Sequence, residues 1–87
     1  MKYFRTPYLQ LENYALDENV VNIIPEELCR QFQVVALEVW GNLLTVGMVR
    51  PENEEDIKIL KEKTKYNIIP FRVDIKEWAN ALNNIVI

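Results

Sequence analysis

The sequence predicts an α/β fold: a two-layer sandwich in β-α-β-β-α-β-α order, its mixed sheet built around a central hairpin, with helices mainly on one face. Three observations predict it. Val34 to Val49 reads as two apolar runs joined by Gly41-Asn42, a two-residue loop of the kind that closes tight hairpins. Helical spacing behind a capping residue recurs after Asp17, Asn53 and Asp74. Between the last two of these lies Tyr66 to Val73, a further β-type run.

The elements follow in chain order. Pro7 to Glu12 alternates Tyr8, Gln10 and Glu12 against Leu9 and Leu11, a short half-buried strand opened by a proline. Asp17 caps a helical turn carrying Val20, Val21 and Ile24; Pro25 disfavours helical geometry before it, so a kink or two short helices are expected there. Pro25 suits the start of the second, Glu26 and Glu27 suit its positive end, and Leu28, Cys29 and Phe32 form its apolar face.

In the hairpin, a turn at Gly41-Asn42 pairs Val39 with Leu44, Leu37 with Val46 and Val35 with Met48, six apolar residues on one sheet face. The other face then carries Trp40 with Leu43, Glu38 with Thr45, and Ala36 with Gly47. Pro51 stops the ladder. Asn53 caps a surface helix with Asp56 at its third position, acids at its start and Lys61 and Lys63 at its end; Glu54 and Lys58 stand at i, i+4. Its inward stripe is narrow: Ile57, Leu60 and Thr64. Pro70 places the Tyr66–Val73 strand at a sheet edge or gives it a local irregularity. Asp74 with Glu77 makes a capping box for the last helix, whose stripe is Ile75, Trp78, Ala79, Leu82 and Ile85, with Trp78 read as core.

At 87 residues the chain has room for one domain, taken as residues 1–87. A net charge of −3 argues against nucleic-acid binding, which needs clustered cations on phosphates. Cys29 is the sole cysteine and there is no histidine, so an internal disulfide and a histidine-based triad are excluded and no metal or cofactor is expected. Cys29 reads as a small buried hydrophobe on a helix. No apolar run approaches the roughly 20 residues of a membrane span, and Met1 to Gln10 lacks the apolar core of a signal peptide, so a cytoplasmic location is expected. Neighbouring acids such as Glu26-Glu27 or Glu54-Glu55 point in different directions on a helix and cannot flank one bond, so no catalytic residue is assigned.

Several stretches together carry a resemblance. Pro7-Tyr8-Leu9-Gln10-Leu11 opens a strand; Ile24-Pro25-Glu26-Glu27-Leu28-Cys29 follows; Gly41-Asn42 precedes Leu44-Thr45-Val46-Gly47-Met48; Pro51 leads into a helix ending at Thr64, and Pro70 lies in the last strand. From Pro7 to Leu82 the chain resembles the amino-terminal domain of type II secretion and type IV pilus assembly ATPases, the MshE-type family. The resemblance implies a non-catalytic adaptor that docks the motor onto the cytoplasmic part of an inner-membrane secretion component. It does not carry over cyclic di-GMP binding, whose Arg-Leu-Gly motifs lie upstream of this region in the family, nor a phosphate-binding loop. Lys65 stands where the family commonly has glycine, Glu62 where an apolar residue is common, and Ala36 replaces a common proline.

Two binding readings follow. In the first, Trp40 and Leu43 form a partner-binding patch, an aromatic anchor beside the small residues Ala36 and Gly47, with a protein partner and no insertion into the membrane. In the alternative, the chain is a nucleotide-sensing regulatory domain and Arg5, Lys61, Lys63 or Lys65 hold an anionic nucleotide.

Overall fold

The structure, a computed structural model, describes residues 6–85. It is an α/β sandwich whose three-stranded sheet has the order β1-β2-β3: β1 (Val34–Trp40) and β2 (Leu43–Met48) run antiparallel, and β3 (Asn67–Arg72) lies parallel to β2. Around it stand α1 (Glu18–Val21), α2 (Glu26–Phe32), α3 (Glu54–Thr64) and α4 (Ile75–Ile85).

The first strand of the expected order is reduced to a bridge. Tyr8 pairs with Arg72, held by Arg72 N–H donating to Pro7 O (2.8 Å) and Leu9 N–H donating to Arg72 O (2.9 Å). The chain then coils into a 3-10 turn at Leu11–Asn13 instead of continuing extended to Glu12. The reason lies in what Leu11 meets: its side chain is buried and its N–H donates to Glu77 Oε1 on α4 at 2.8 Å. That tertiary bond replaces a ladder bond.

Asp17 caps α1 as expected, accepting from Asn19 N–H at 2.9 Å, and Pro25 separates α1 from α2. Asn53 likewise accepts from Asp56 N–H at 3.2 Å. The reciprocal arm of that box does not form, because Asn53 N–H goes to Arg50 O and Asp56 is buried with Oδ2 unpartnered. Asp74 caps α4 through Lys76 and Glu77 N–H, while the Glu77 carboxylate turns to Leu11 rather than back to its own cap. Among the described residues the ion pairs are Arg30–Glu26 and Arg72–Glu52, both exposed, and not Glu54–Lys58. Two helices end on non-glycine residues in the left-handed region, Gln33 (φ 57°) and Lys65 (φ 67°), each N–H closing back onto the preceding turn. Lys65 thus holds a conformation that glycine adopts without strain.

The hairpin turns where expected. Gly41 alone takes a positive φ (63°), the pattern of a turn that wants glycine at its first central position. Trp40 faces Leu43, Val39 faces Leu44 and Glu38 faces Thr45. Beyond these the expected register fails. A bulge at Leu37 shifts the pairing, so that Ala36 faces Val46, Val35 faces Gly47 and Val34 faces Met48. One extra residue reverses the alternation. Val34 and Ala36 therefore share the face of Leu44, Val46 and Met48, while Val35 joins Gly47 on the other.

Pro70 sits in an edge strand, as its ring requires. Asn67 and Val73 N–H donate to Asn42 and Met48 on the β2 side, so the alternating Pro70 position faces outward and its missing N–H removes no ladder bond.

Candidate functional site

The two faces of the sheet differ. On one, Leu44, Val46 and Met48 are fully buried along the whole of β2, with Leu60 of α3 in the same core. The second face is closed only at its base. There Val35, Leu37, Gly47 and Val73 pack together, and a Cβ on Gly47 would lie 2.9 Å from Val73 Cγ1. The segment from Leu9 to Tyr14 crosses this base, and Tyr14 OH donates to the Leu37 carbonyl at 3.2 Å. α4 secures it from the edge, Trp78 Nε1–H donating to Val34 O at 3.0 Å.

Toward the hairpin tip no described residue covers the second face. Trp40 is 73% exposed, Ile69 is 37% exposed, and Leu43 and Thr45 are half-buried between them. The two expected site residues, Trp40 and Leu43, are thus cross-strand partners on one face. Their expected small neighbours are not with them. Ala36 is fully buried on the opposite face because of the bulge, and Gly47 lies beneath Val73.

Where tip meets base, a cavity of about 110 Å³ opens between Leu9, Tyr14, Leu37, Glu38, Thr45 and Phe71. Sequence alternation missed it, because it depends on the bulge that puts Leu37 and Glu38 side by side. A signal was present nonetheless: Val34-Val35-Ala36-Leu37 is an unbroken apolar run, the mark of a strand buried on both faces. Burial and the nearby Glu38 carboxylate raise the Tyr14 phenol above its ordinary range.

The cations named for the alternative reading are only partly gathered. Lys61 and Lys65 line a shallow hollow on α3 with Lys58 and Glu62, Lys63 is not part of it, and Arg5 lies outside the described residues. Cys29 is 1% exposed; burial, helped by Glu26 and opposed by Arg30, pushes its thiol up to about 12, which leaves no thiolate for chemistry near neutral pH. Among the described residues no three His, Cys, Asp or Glu side chains are grouped to hold a metal ion, and no helix is long and apolar enough to cross a membrane.

Comparison with known proteins agrees with this architecture. The family model for the MshEN domain matches residues 4–86. The solved structure of MshE with cdg superposes with a TM-score of 0.84 at 17% identity, over 92% of this chain and 58% of the other. The N-terminal domain of XpsE, solved in two crystal forms, gives 0.77 at 12% identity over 90% of this chain and 56% or 55% of the other. The chain therefore spans little more than half the length of these neighbours, whose likeness speaks to the fold alone. No curated protein sequence matches it. With the family match covering nearly the whole chain, it belongs to the MshEN domain family, the amino-terminal domain of type II secretion and type IV pilus assembly ATPases.

Proposed function

We propose that the chain is a non-catalytic adaptor, docking through the bare tip of its sheet to the cytoplasmic part of an inner-membrane secretion component. The observation that carries this is Trp40, a large aromatic side chain 73% exposed on a sheet face that no described residue covers at that end. An indole left in water costs apolar hydration, and aromatic residues of this kind are the ones that dominate interfaces. In this reading the domain works in the cytoplasm, binds no nucleic acid and does not insert into the membrane.

Trp40→Ala tests it. Binding to the purified cytoplasmic domain of the inner-membrane component should weaken by roughly 30-fold, the scale of a hot-spot residue worth ~2 kcal/mol. The circular dichroism spectrum and thermal midpoint should stay those of the parent. Unchanged affinity, or loss of the fold, rejects the patch.

A nucleotide-sensing role is the second reading, favoured by the similarity to MshE, whose structure was solved with cdg. Against it, Lys58, Lys61 and Lys65 share their hollow with Glu62. Calorimetry with cyclic di-GMP and with ATP separates the readings, since absence of heat at high micromolar ligand removes the second.

A further inference from the structure

We propose that the bare tip face receives a basic amphipathic helix from the partner, one aliphatic side chain filling the cavity beside Thr45 while an adjacent Lys or Arg meets Glu38. This rests on the docking reading above and names the chemistry of its partner.

The occupant's shape follows from which parts of the sheet are already satisfied. Addition of a strand needs a long free edge, and both edges are already engaged along their base halves. On β1 the carbonyls of Val34 and Leu37 accept from Trp78 and Tyr14. On β3 the outward groups of Arg72 are taken by Pro7 and Leu9, and Pro70 has no N–H to offer. What is left is a face, and sheet faces are covered by helices. The covered half of this molecule shows the arrangement, α3 lying against β3. The cavity of about 110 Å³ gives the helix its anchor. An apolar cavity of about 150 Å³ accepts a benzene ring, so the smaller space suits a leucine-sized branch.

The occupant's charge follows from Glu38. It is exposed, forms no ion pair among the described residues, and stands at the cavity wall. Among the described residues no Lys or Arg lines that cavity; Lys58, Lys61 and Lys65 are grouped in a separate hollow. The chain as a whole carries −3. A two-fold contact between copies would lay this acidic face on itself, so a second copy is disfavoured. An anionic nucleotide meets the same repulsion. Complementary charge also steers encounter, giving association that weakens with salt.

The test uses the full chain and two synthetic amphipathic helices of leucine with lysine or leucine with glutamate, read by tryptophan emission. Trp40 is exposed while Trp78 is 8% exposed, so a blue shift on titration reports Trp40. The leucine–lysine helix should bind saturably and the leucine–glutamate helix should not. Glu38→Lys, an exposed change that leaves the core untouched, should weaken the first about tenfold and admit the second. Thr45→Phe, with its fold verified by circular dichroism, should weaken the first by filling its anchor cavity. Equal binding of the two helices, or indifference to Glu38→Lys, overturns the inference. So does a dimer of the chain alone that Trp40→Ala dissociates, which would assign the face to a second copy. If Trp40→Ala abolishes binding of the secretion component while the helices show no charge preference, the docking reading stands and this one falls.

Discussion

The base and the tip of one hairpin have opposite characters. At the base, Val34, Val35, Ala36 and Leu37 are each 3% exposed or less, buried on both faces. Two residues beyond Glu38, on the same strand, Trp40 is 73% exposed. The residue that separates them is Leu37, whose insertion into the ladder sends consecutive side chains to one side and frees a carbonyl for Tyr14. Stability is thus concentrated at the base of the strand and the proposed recognition at its tip, rather than being divided between its two faces. Substitutions at the base should cost folding free energy, and those at the tip should cost binding alone.

The sharpest way to break this division is at the base, where Trp78 joins α4 to β1. Trp78→Ala removes a buried indole and leaves the Val34 carbonyl without its donor, so unfolding free energy should fall by ~3–5 kcal/mol. A urea titration measures it, and a loss under ~1 kcal/mol would mean that α4 does not hold the base. Next in size is an alkaline effect at Cys29. Its thiol is near 9.0 when unfolded and about 12 when folded, so the unfolded chain gives up its proton first as pH rises. Stability from the buried neutral thiol is complete below pH 9 and is lost between about pH 9 and 12, by ~1.4 kcal/mol per unit. Urea midpoints of the parent should fall more steeply over that window than those of Cys29→Ala. Parallel slopes would show that water reaches the thiol.

How much of this was legible in the sequence depends on range. Local chemistry read correctly: Gly41 at the turn, Asp17, Asn53 and Asp74 at helix starts, Pro25 between helices, and Pro70 at an edge each act through neighbours a few residues away. Some failures are local, such as the Glu54–Lys58 pair and the reciprocal arms of the capping boxes, but those that reshape the sheet arise from packing beyond the local sequence. The strand at Pro7–Glu12 shortened because Leu11 found Glu77, sixty-six residues on. The register slipped at Leu37, where strict alternation allows no insertion. Ala36 and Gly47 were placed beside Trp40 by that alternation, and the one slipped residue moved Ala36 to the opposite face. The cross-strand pairing of Trp40 with Leu43 holds because both lie between the turn and the bulge.

Gly47 probes the packing at the base more finely. A methyl group there would press on Val73 Cγ1 at 2.9 Å and Val35 Cγ1 at 3.3 Å, both stiff at χ1 and both buried. Gly47→Ala should therefore destabilise by ~1–3 kcal/mol, even though alanine is ordinarily the better strand residue. The check is a lowered urea midpoint at unchanged slope. A neutral result would show that the end of β3 moves freely, and with it the floor of the cavity.

The smallest effect is expected at the tip, and it is the one on which the comparison turns. Trp40 presents most of its surface to water, and its backbone partner Leu43 stays paired whatever side chain it carries. Trp40→Ala should thus change unfolding free energy by no more than ~0.5 kcal/mol, the range of surface substitutions. Differential scanning calorimetry of the free chain measures it. A larger loss would mean that the indole packs on the hairpin in solution and belongs to the base after all; the same variant's loss of partner affinity would then reflect folding, and recognition would have to be sought elsewhere on the surface.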